Sequence, residues 1–132
     1  MPKPETKYIA GVHRHLPSDV YAEKMSNPYR GGTPDMYYEG GKDTMFIEYK
    51  FAPRLAPVTD LLDRKRKPHV SALQESWLVR TNANSCRCGV ILGTADGGLI
   101  LPGLSWMHPI KRSQATLLPY KEVAAWIASQ VR

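Results

Sequence analysis

The clearest structural pattern in the chain lies in DMYYE at residues 35–39 and TMFIEYK at residues 44–50. Both are rich in aromatic, β-branched and other apolar residues that favour strands. The segment GGKD at residues 40–43 separates them, and its length is typical of a hairpin loop. The sequence therefore predicts a β-hairpin, and the remaining elements are expected to pack around it.

The second strand of this hairpin has two different faces, because successive side chains of a strand point in opposite directions. One face carries Phe46, Glu48 and Lys50, and the other carries Met45, Ile47 and Tyr49. The first face thus ends in a carboxylate beside an ammonium group. Burial of such groups is unfavourable unless they are paired or bound to a metal, so this end of the strand is the first candidate for a functional site.

In the rest of the chain, apolar residues that recur every three to four positions predict helices, and apolar residues at alternate positions or in short runs predict strands. In chain order they are a helix over 4–16, a short strand within 19–25, turns over 26–34, an exposed basic loop over 52–68 outside the core, a helix over 70–80, strands at 89–93 and 97–101, and a helix over 121–131. Leu73 and Trp77 are expected on the inward side of the helix over 70–80, and Ser71 is its predicted N-cap. This order indicates an α/β or α+β fold with a mixed sheet.

Composition sets further limits on the function. The chain has 132 residues, 42% of them hydrophobic, and a net charge of +6, which suits one globular domain with a polyanionic partner such as nucleic acid. No long apolar run or signal-peptide pattern is present, so we expect a cytoplasmic protein that is neither secreted nor in a membrane. Cys86 and Cys88 are too close in sequence for an ordinary disulfide loop and are expected to be reduced thiols.

The polar groups of the hairpin suit metal-dependent phosphodiester hydrolysis. Asp35 begins the first strand and Glu48 lies near the end of the second, where their oxygens could hold Mg²⁺ or Mn²⁺. The backbone carbonyl of Tyr49 could add a third protein ligand. Lys50 could orient or deprotonate the attacking water and neutralise charge on the phosphate.

Each residue also has a simpler interpretation. A Glu and a Lys two positions apart often form a solvated polar face, and an Asp after a Pro often begins a turn. A non-catalytic nucleic-acid-binding protein is therefore the alternative function. It is disfavoured because unpaired acidic groups would repel phosphate. A small-molecule hydrolase is disfavoured because no nucleophile elbow is present.

Basic residues supply candidate DNA contacts. The run Arg64, Lys65, Arg66 and Lys67 is either a solvated loop or a phosphate clamp. Arg30 precedes two glycines that allow close backbone approach, so it could hold a phosphate or simply belong to a turn. Lys111 and Arg112 could extend the same positive surface.

Three motifs resemble the PD-(D/E)XK nuclease superfamily and, within it, the small stand-alone phage-type members of the VRR-NUC family. They are GTPD at 32–35, IEYK at 47–50 and SALQESWL at 71–78. The resemblance runs from about residue 5 to residue 101. It leaves residues 102–132 as a C-terminal extension that ends in the final helix, within a single nuclease domain over 1–132.

The resemblance implies a restriction-endonuclease-like fold, a mixed central sheet flanked by helices, and Mg²⁺- or Mn²⁺-dependent cleavage of DNA. It assigns Asp35 to the proline–aspartate element and Glu48 with Lys50 to the E-x-K element. Gln74 matches a glutamine that helps to position the site. A further acidic residue is expected on the first helix, where Glu5 is the candidate and Glu23 the rival. The resemblance also implies a homodimer that acts on branched or four-way-junction DNA, in a bacterial host cell if the chain is of phage origin.

Overall fold

A computed structural model describes residues 2–25 and 31–132 of the chain. Its elements in chain order are α1 (Pro4–His13), β1 (Tyr21–Lys24), β2 (Met36–Glu39), β3 (Thr44–Phe51), β4 (Val58–Thr59), α2 (Ala72–Ala83), β5 (Arg87–Thr94), β6 (Gly97–Pro102), β7 (Ile110–Lys111) and α3 (Tyr120–Val131). The predicted helices and strands are confirmed, with small shifts of their ends. The segment 52–68 contains the unpredicted strand β4, which pairs with β7.

The strands β1-β2-β3-β5-β6 form one mixed sheet in that order. Neighbouring strands are antiparallel except β3 and β5, which run parallel with Glu48 opposite Val90. A parallel pair needs a crossover connection, and here it includes β4 and α2. This mixed sheet with flanking helices is the predicted fold class, and its centre is the strand that carries Glu48 and Lys50.

One face of the sheet packs against α1 and α3. Met45, Ile47 and Tyr49 of β3 are each at most 1% exposed on this side, as the period of two predicts. Tyr8 of α1 lies against β5 and β6, where a side chain on Gly98 would come within 1.9 Å of the Tyr8 hydroxyl. Val123 and Ile127 of α3 are fully buried in the same cluster. The final helix is therefore an integral part of this core.

The other face packs against α2, and here one prediction is wrong. Leu73 is 61% exposed, whereas Leu78 is fully buried against β5. The inward positions of α2 follow the spacing of Gln74, Leu78 and Thr81, which is one helix face, and Leu73 lies off this face. Trp77 does lie on the inward side, as predicted: it is half-buried, and its ring centroid is 4.9 Å from that of Phe46.

The prediction that the segment 52–68 is an exposed loop outside the core is also wrong in part. Leu55 is 3% exposed and Leu61 is fully buried. The amide of Val70 donates a hydrogen bond to the carbonyl of Leu61 at 2.7 Å, which ties the segment to the start of α2. The four cations at 64–67 are exposed, as predicted.

Two further predictions concern thiols and membranes. Cys86 and Cys88 are both free cysteines, the first exposed and the second buried. Among the described residues, no helix has both the length and the apolar character needed to cross a bilayer.

Candidate active site

Glu48 is the central residue of the candidate site. It lies near the end of β3 on the face toward α2 and is only 2% exposed. The hydrogen bonds of the strand fix the backbone, so the side chain points to this face by the period of two. A buried carboxylate requires compensating partners, and the neighbouring residues supply them on one of its two oxygens.

Glu48, Lys50 and Gln74 form a closed ring of contacts. Lys50 Nζ lies 3.1 Å from Glu48 Oε2 and donates a hydrogen bond to Gln74 Oε1 at 2.9 Å. Gln74 Nε2 donates to Glu48 Oε2 at 2.8 Å. The structure therefore brings together three of the residues that the sequence predicts, two from β3 and one from α2.

The beginning of α2 determines the orientation of the Gln74 amide. Ser71 caps the helix by accepting a hydrogen bond from Gln74 N at 3.1 Å, and the Gln74 side-chain oxygen accepts from Ser71 N at 2.9 Å. This reciprocal pair is a capping box. Because the amide oxygen accepts from both Ser71 and Lys50, the amide nitrogen is left to donate to the carboxylate. The helix cap thus presents a donor to Glu48.

Asp35 joins the site from the beginning of β2. Its Oδ2 accepts a hydrogen bond from the backbone amide of Tyr49 at 2.8 Å, and its backbone carbonyl accepts from Met25 N at 2.9 Å. These bonds hold the carboxylate against β3 at the residue between Glu48 and Lys50. Met36 pairs with Ile47 in the antiparallel hairpin. Asp35, one residue earlier in the chain, therefore lies beside the end of β3 that carries Glu48.

The structure brings Glu5 to the site and leaves Glu23 away from it. Glu5 is half-buried in the first turn of α1, and its pKa is raised by this burial and by the nearby Asp35 carboxylate, while Lys50 and Lys3 oppose the shift. Glu23 is exposed on β1, where its carboxylate accepts a hydrogen bond from the Tyr21 hydroxyl. Of the two acids, Glu5 is the one beside Asp35 and Lys50.

Glu48 has an unusual proton affinity. Burial is the main cause that raises its pKa to about 8, and the carboxylates of Asp35 and Glu5 add to it, whereas Lys50 acts in the opposite direction. Its second oxygen, Oε1, is buried and has no hydrogen-bond partner among the described residues. A buried oxygen without a partner is unfavourable, so Glu48 has an unused position for a proton or a cation.

These donors fit a divalent cation of the Mg²⁺ type. No group of three or more His, Cys, Asp or Glu side chains within residues 2–25 and 31–132 is arranged to enclose a metal. Mg²⁺, however, usually binds to one or two carboxylates and retains several waters. Asp35 and the unpartnered Oε1 of Glu48 meet that need, and Glu5 adds negative charge.

A buried hydrogen-bond chain that was not predicted from the sequence lies behind the site. The Tyr49 and Tyr38 hydroxyls are 2.6 Å apart, and the Tyr38 hydroxyl lies 2.8 Å from His13 Nε2. Both tyrosines are fully buried. Buried tyrosine hydroxyls need hydrogen-bond partners. Two tyrosines on the inward face of one hairpin are therefore the sequence feature from which this chain could have been predicted.

The predicted DNA-binding cations have different surroundings. Arg64 forms an ion pair with Glu75 and donates to the Val70 carbonyl, so it braces the loop onto α2. Lys65 is exposed, and the Arg66 side chain is 85% exposed. Lys67 lines the same cleft as Glu5 and Lys50. Arg30 lies outside the described residues.

Comparison with solved structures supports the fold. The Holliday junction resolvase Hjc of Archaeoglobus fulgidus, an archaeal hyperthermophile, is similar with a TM-score of 0.60 and 18% sequence identity. The similarity covers 93% of this chain and 97% of that chain. No protein-family model matches the sequence, and no curated protein matches it either. The similarity confirms the predicted restriction-endonuclease-like fold over nearly the whole chain.

Proposed function

We propose that this protein is a divalent-metal-dependent DNA endonuclease of the PD-(D/E)XK superfamily that cuts branched DNA. The observation that carries the proposal is the contact ring of Glu48, Lys50 and Gln74 at the end of a central strand, with Asp35 held beside it. A buried acid with an unpartnered oxygen has no evident structural benefit. In a metal-dependent hydrolase the same oxygen would bind the metal ion.

Asp35, Glu48 and the backbone carbonyl of Tyr49 would hold Mg²⁺ or Mn²⁺, with Glu5 completing the acidic site. A bound divalent cation supplies charge neutralisation and lowers the pKa of its water. The chain's own contribution is to fix the carboxylates: the Tyr49 amide orients Asp35, and Gln74 orients Glu48. Glu48 must also lose its proton, which its raised pKa makes harder below about pH 8.

Lys50 is the proposed catalytic residue for water attack. Its ammonium group is held between Glu48 and Gln74, and its side chain is 15% exposed, so it reaches the cleft from a fixed position. From there it can orient the attacking water and offset negative charge on the phosphate. Gln74 acts through Glu48 and Lys50 and is a positioning residue.

The cations near the cleft are proposed to guide the DNA backbone. Lys67 borders the site, and the Arg66 side chain is 85% exposed with a 3.8 Å ion pair to Asp63, so both cations are accessible to phosphates. Lys65 and the pair at 111–112 extend the same charge, while Arg64 contributes mainly by holding the loop. Arg30 is proposed from sequence alone. Each phosphate contact adds affinity that falls with salt concentration.

The proposed substrate is branched DNA, including four-way junctions. Its support is the fold shared with a protein that is a Holliday junction resolvase, together with the motif resemblance. A homodimer would suit paired cuts in two strands. Membership of the VRR-NUC family and a cytoplasmic location are further parts of the proposal, and both rest on the sequence.

The test is cleavage of labelled four-way-junction, flap, single-stranded and linear duplex DNA with Mg²⁺, Mn²⁺ or EDTA. Glu48→Ala and Lys50→Ala are run beside the unmodified protein. We expect metal-dependent cutting, strongest on the branched substrates and lost in both variants. Binding of all four DNAs without cutting in either metal would favour the alternative, a non-catalytic binding protein on a nuclease-like fold.

A further inference from the structure

A groove between α1 and the strands β1 and β2 opens beside the candidate active site. It encloses about 630 Å³ and is lined by Glu5 and Asp35 at the site. Its other lining residues come from the length of α1 and from the facing strands. Volumes of this size are typical of small-molecule and cofactor pockets. We refer to it as the α1 groove.

Several apolar side chains line the α1 groove, beside the polar Thr6 and His13. Ile9 and Ala22 are half-buried and Met36 is 5% exposed, and all three line the groove. A phosphate backbone is recognised by cations and hydrogen-bond donors, so it would gain little from these three apolar side chains. A planar, weakly polar group attached to the backbone would gain from burial there.

The charged residues of the α1 groove complement a nucleotide. Lys3 and Lys24 line it and are exposed, which gives two positive charges at the end of the groove that also holds Glu5 and Asp35. The carboxylates of Glu5 and Asp35 lie at this same end, where the phosphate to be cut would meet the proposed metal. Cations and the site at one end, with apolar side chains beyond them, match a nucleotide whose phosphate lies at the site and whose base extends into the groove.

We infer that the α1 groove receives one unstacked nucleotide adjoining the scissile phosphate, with its base against Ile9, Ala22 and Met36. This inference rests on the proposed function and gives it a physical basis for substrate choice. Extruding a base from a regular duplex requires loss of stacking and pairing, and that loss is smallest where the base is already unpaired. Branch points offer such bases, so the groove favours branched DNA over linear duplex.

The first test fills the groove. Ala10 lines it and is exposed on α1, so Ala10→Phe adds bulk without entering the core. Ala125→Phe places the same residue at an exposed position of α3 as the control. Each protein cuts a four-way junction under single-turnover conditions, with normal nucleotides or with one abasic residue scanned across the positions next to the cut.

We expect Ala10→Phe to slow cleavage of the intact junction by roughly tenfold or more, in the range of pocket discrimination. An abasic residue at one flanking position should restore its rate, since the added ring then replaces the base. Ala125→Phe should cut normally. The inference is overturned if Ala10→Phe cuts at the normal rate, or if it is slowed equally with every abasic substrate.

The second test is independent of cleavage. Junctions with 2-aminopurine scanned near the branch point are titrated with protein in EDTA. A rise in fluorescence at one position, present with the unmodified protein and Ala125→Phe and absent with Ala10→Phe, supports the groove even if the protein cuts no DNA. An unchanged signal at every position contradicts it, whether or not the endonuclease proposal holds.

Discussion

Gln74 Nε2 donates a hydrogen bond to Glu48 Oε2 at 2.8 Å, although the two residues are 26 positions apart in the chain. The same glutamine caps α2 and accepts a hydrogen bond from Lys50. The start of a helix and the end of a strand are thus joined through one amide. Changes to this side chain should therefore affect stability and the site together.

Gln74→Ala is expected to destabilise the protein and impair cleavage. It removes half of the capping box and leaves Glu48 Oε2 with one partner fewer, effects that together amount to about 1–3 kcal/mol of unfolding free energy. Urea denaturation measures the stability, and single-turnover cleavage measures the activity. Gln114→Ala, at an exposed position, is the control. Unchanged stability together with unchanged rate would contradict the positioning role.

Stability without metal should decrease as the pH rises from about 4.5 to about 8. The pKa of Glu48 is raised from 4.5 to about 8 by burial and by neighbouring carboxylates. Between these values the folded state retains a proton that the unfolded state has lost, so a higher pH favours unfolding. The contribution of Glu48 to the free energy of unfolding is therefore largest below about pH 4.5, decreases as the pH rises to about 8 and is constant above that value.

Glu48→Gln should flatten that pH profile, because a glutamine does not titrate. Urea denaturation in EDTA at several pH values measures it for both proteins. Glu122→Gln, an exposed residue of α3, is the control and should keep the original slope. If the unmodified protein and Glu48→Gln have the same slope between pH 5 and 8, the carboxyl group does not titrate as described.

Arg66→Ala and Lys67→Ala are each expected to weaken DNA binding and to reduce its salt dependence. Loss of one phosphate contact lowers the slope of log Kd against log salt by about 1. Lys42→Ala is the control. It removes one positive charge just before the start of β3, whereas Lys50 and the cleft lie at the other end of that strand. Titrations of a labelled junction at several salt concentrations give the slopes. Equal slopes for all three variants would mean that the cations at 66–67 do not meet phosphates.

Tyr38→Phe is expected to destabilise the hairpin behind the site by about 1–3 kcal/mol, because it leaves the buried Tyr49 hydroxyl and His13 without their shared partner. Adding Tyr49→Phe should cost less than its separate effect, since the two hydroxyls form one network. Tyr120→Phe, a more exposed tyrosine, is the control. Strictly additive effects in urea denaturation would contradict the network.

The sequence predicted the hairpin well because a period of two fixes both the strand and its faces. The buried face of Ile47 and Tyr49 and the site face of Glu48 and Lys50 follow from it directly. The inward side of α2 was harder to predict. Leu73 is more hydrophobic than Gln74, yet the cap and the contact with Glu48 turn Gln74 inward.

The choice between Glu5 and Glu23 could not be made from sequence, since it depends on how α1 and β1 lie against β3. Both acids have suitable spacing, and only the tertiary contacts of Asp35 and Lys50 separate them. The buried leucines at 55 and 61 were missed for a similar reason. Prolines and cations are frequent in that segment, and its apolar residues follow no period that would reveal their burial.

The decisive measurement for the proposed active site compares Lys50→Ala with Lys42→Ala, two lysines beside opposite ends of β3, in single-turnover cleavage of a four-way junction with Mg²⁺. Both variants are expected to bind the junction with Kd values close to that of the unmodified protein. Lys42→Ala should cut it at the normal rate, and Lys50→Ala should cut it at least about 100-fold more slowly. Normal cutting by Lys50→Ala would contradict the proposed catalytic role of Lys50.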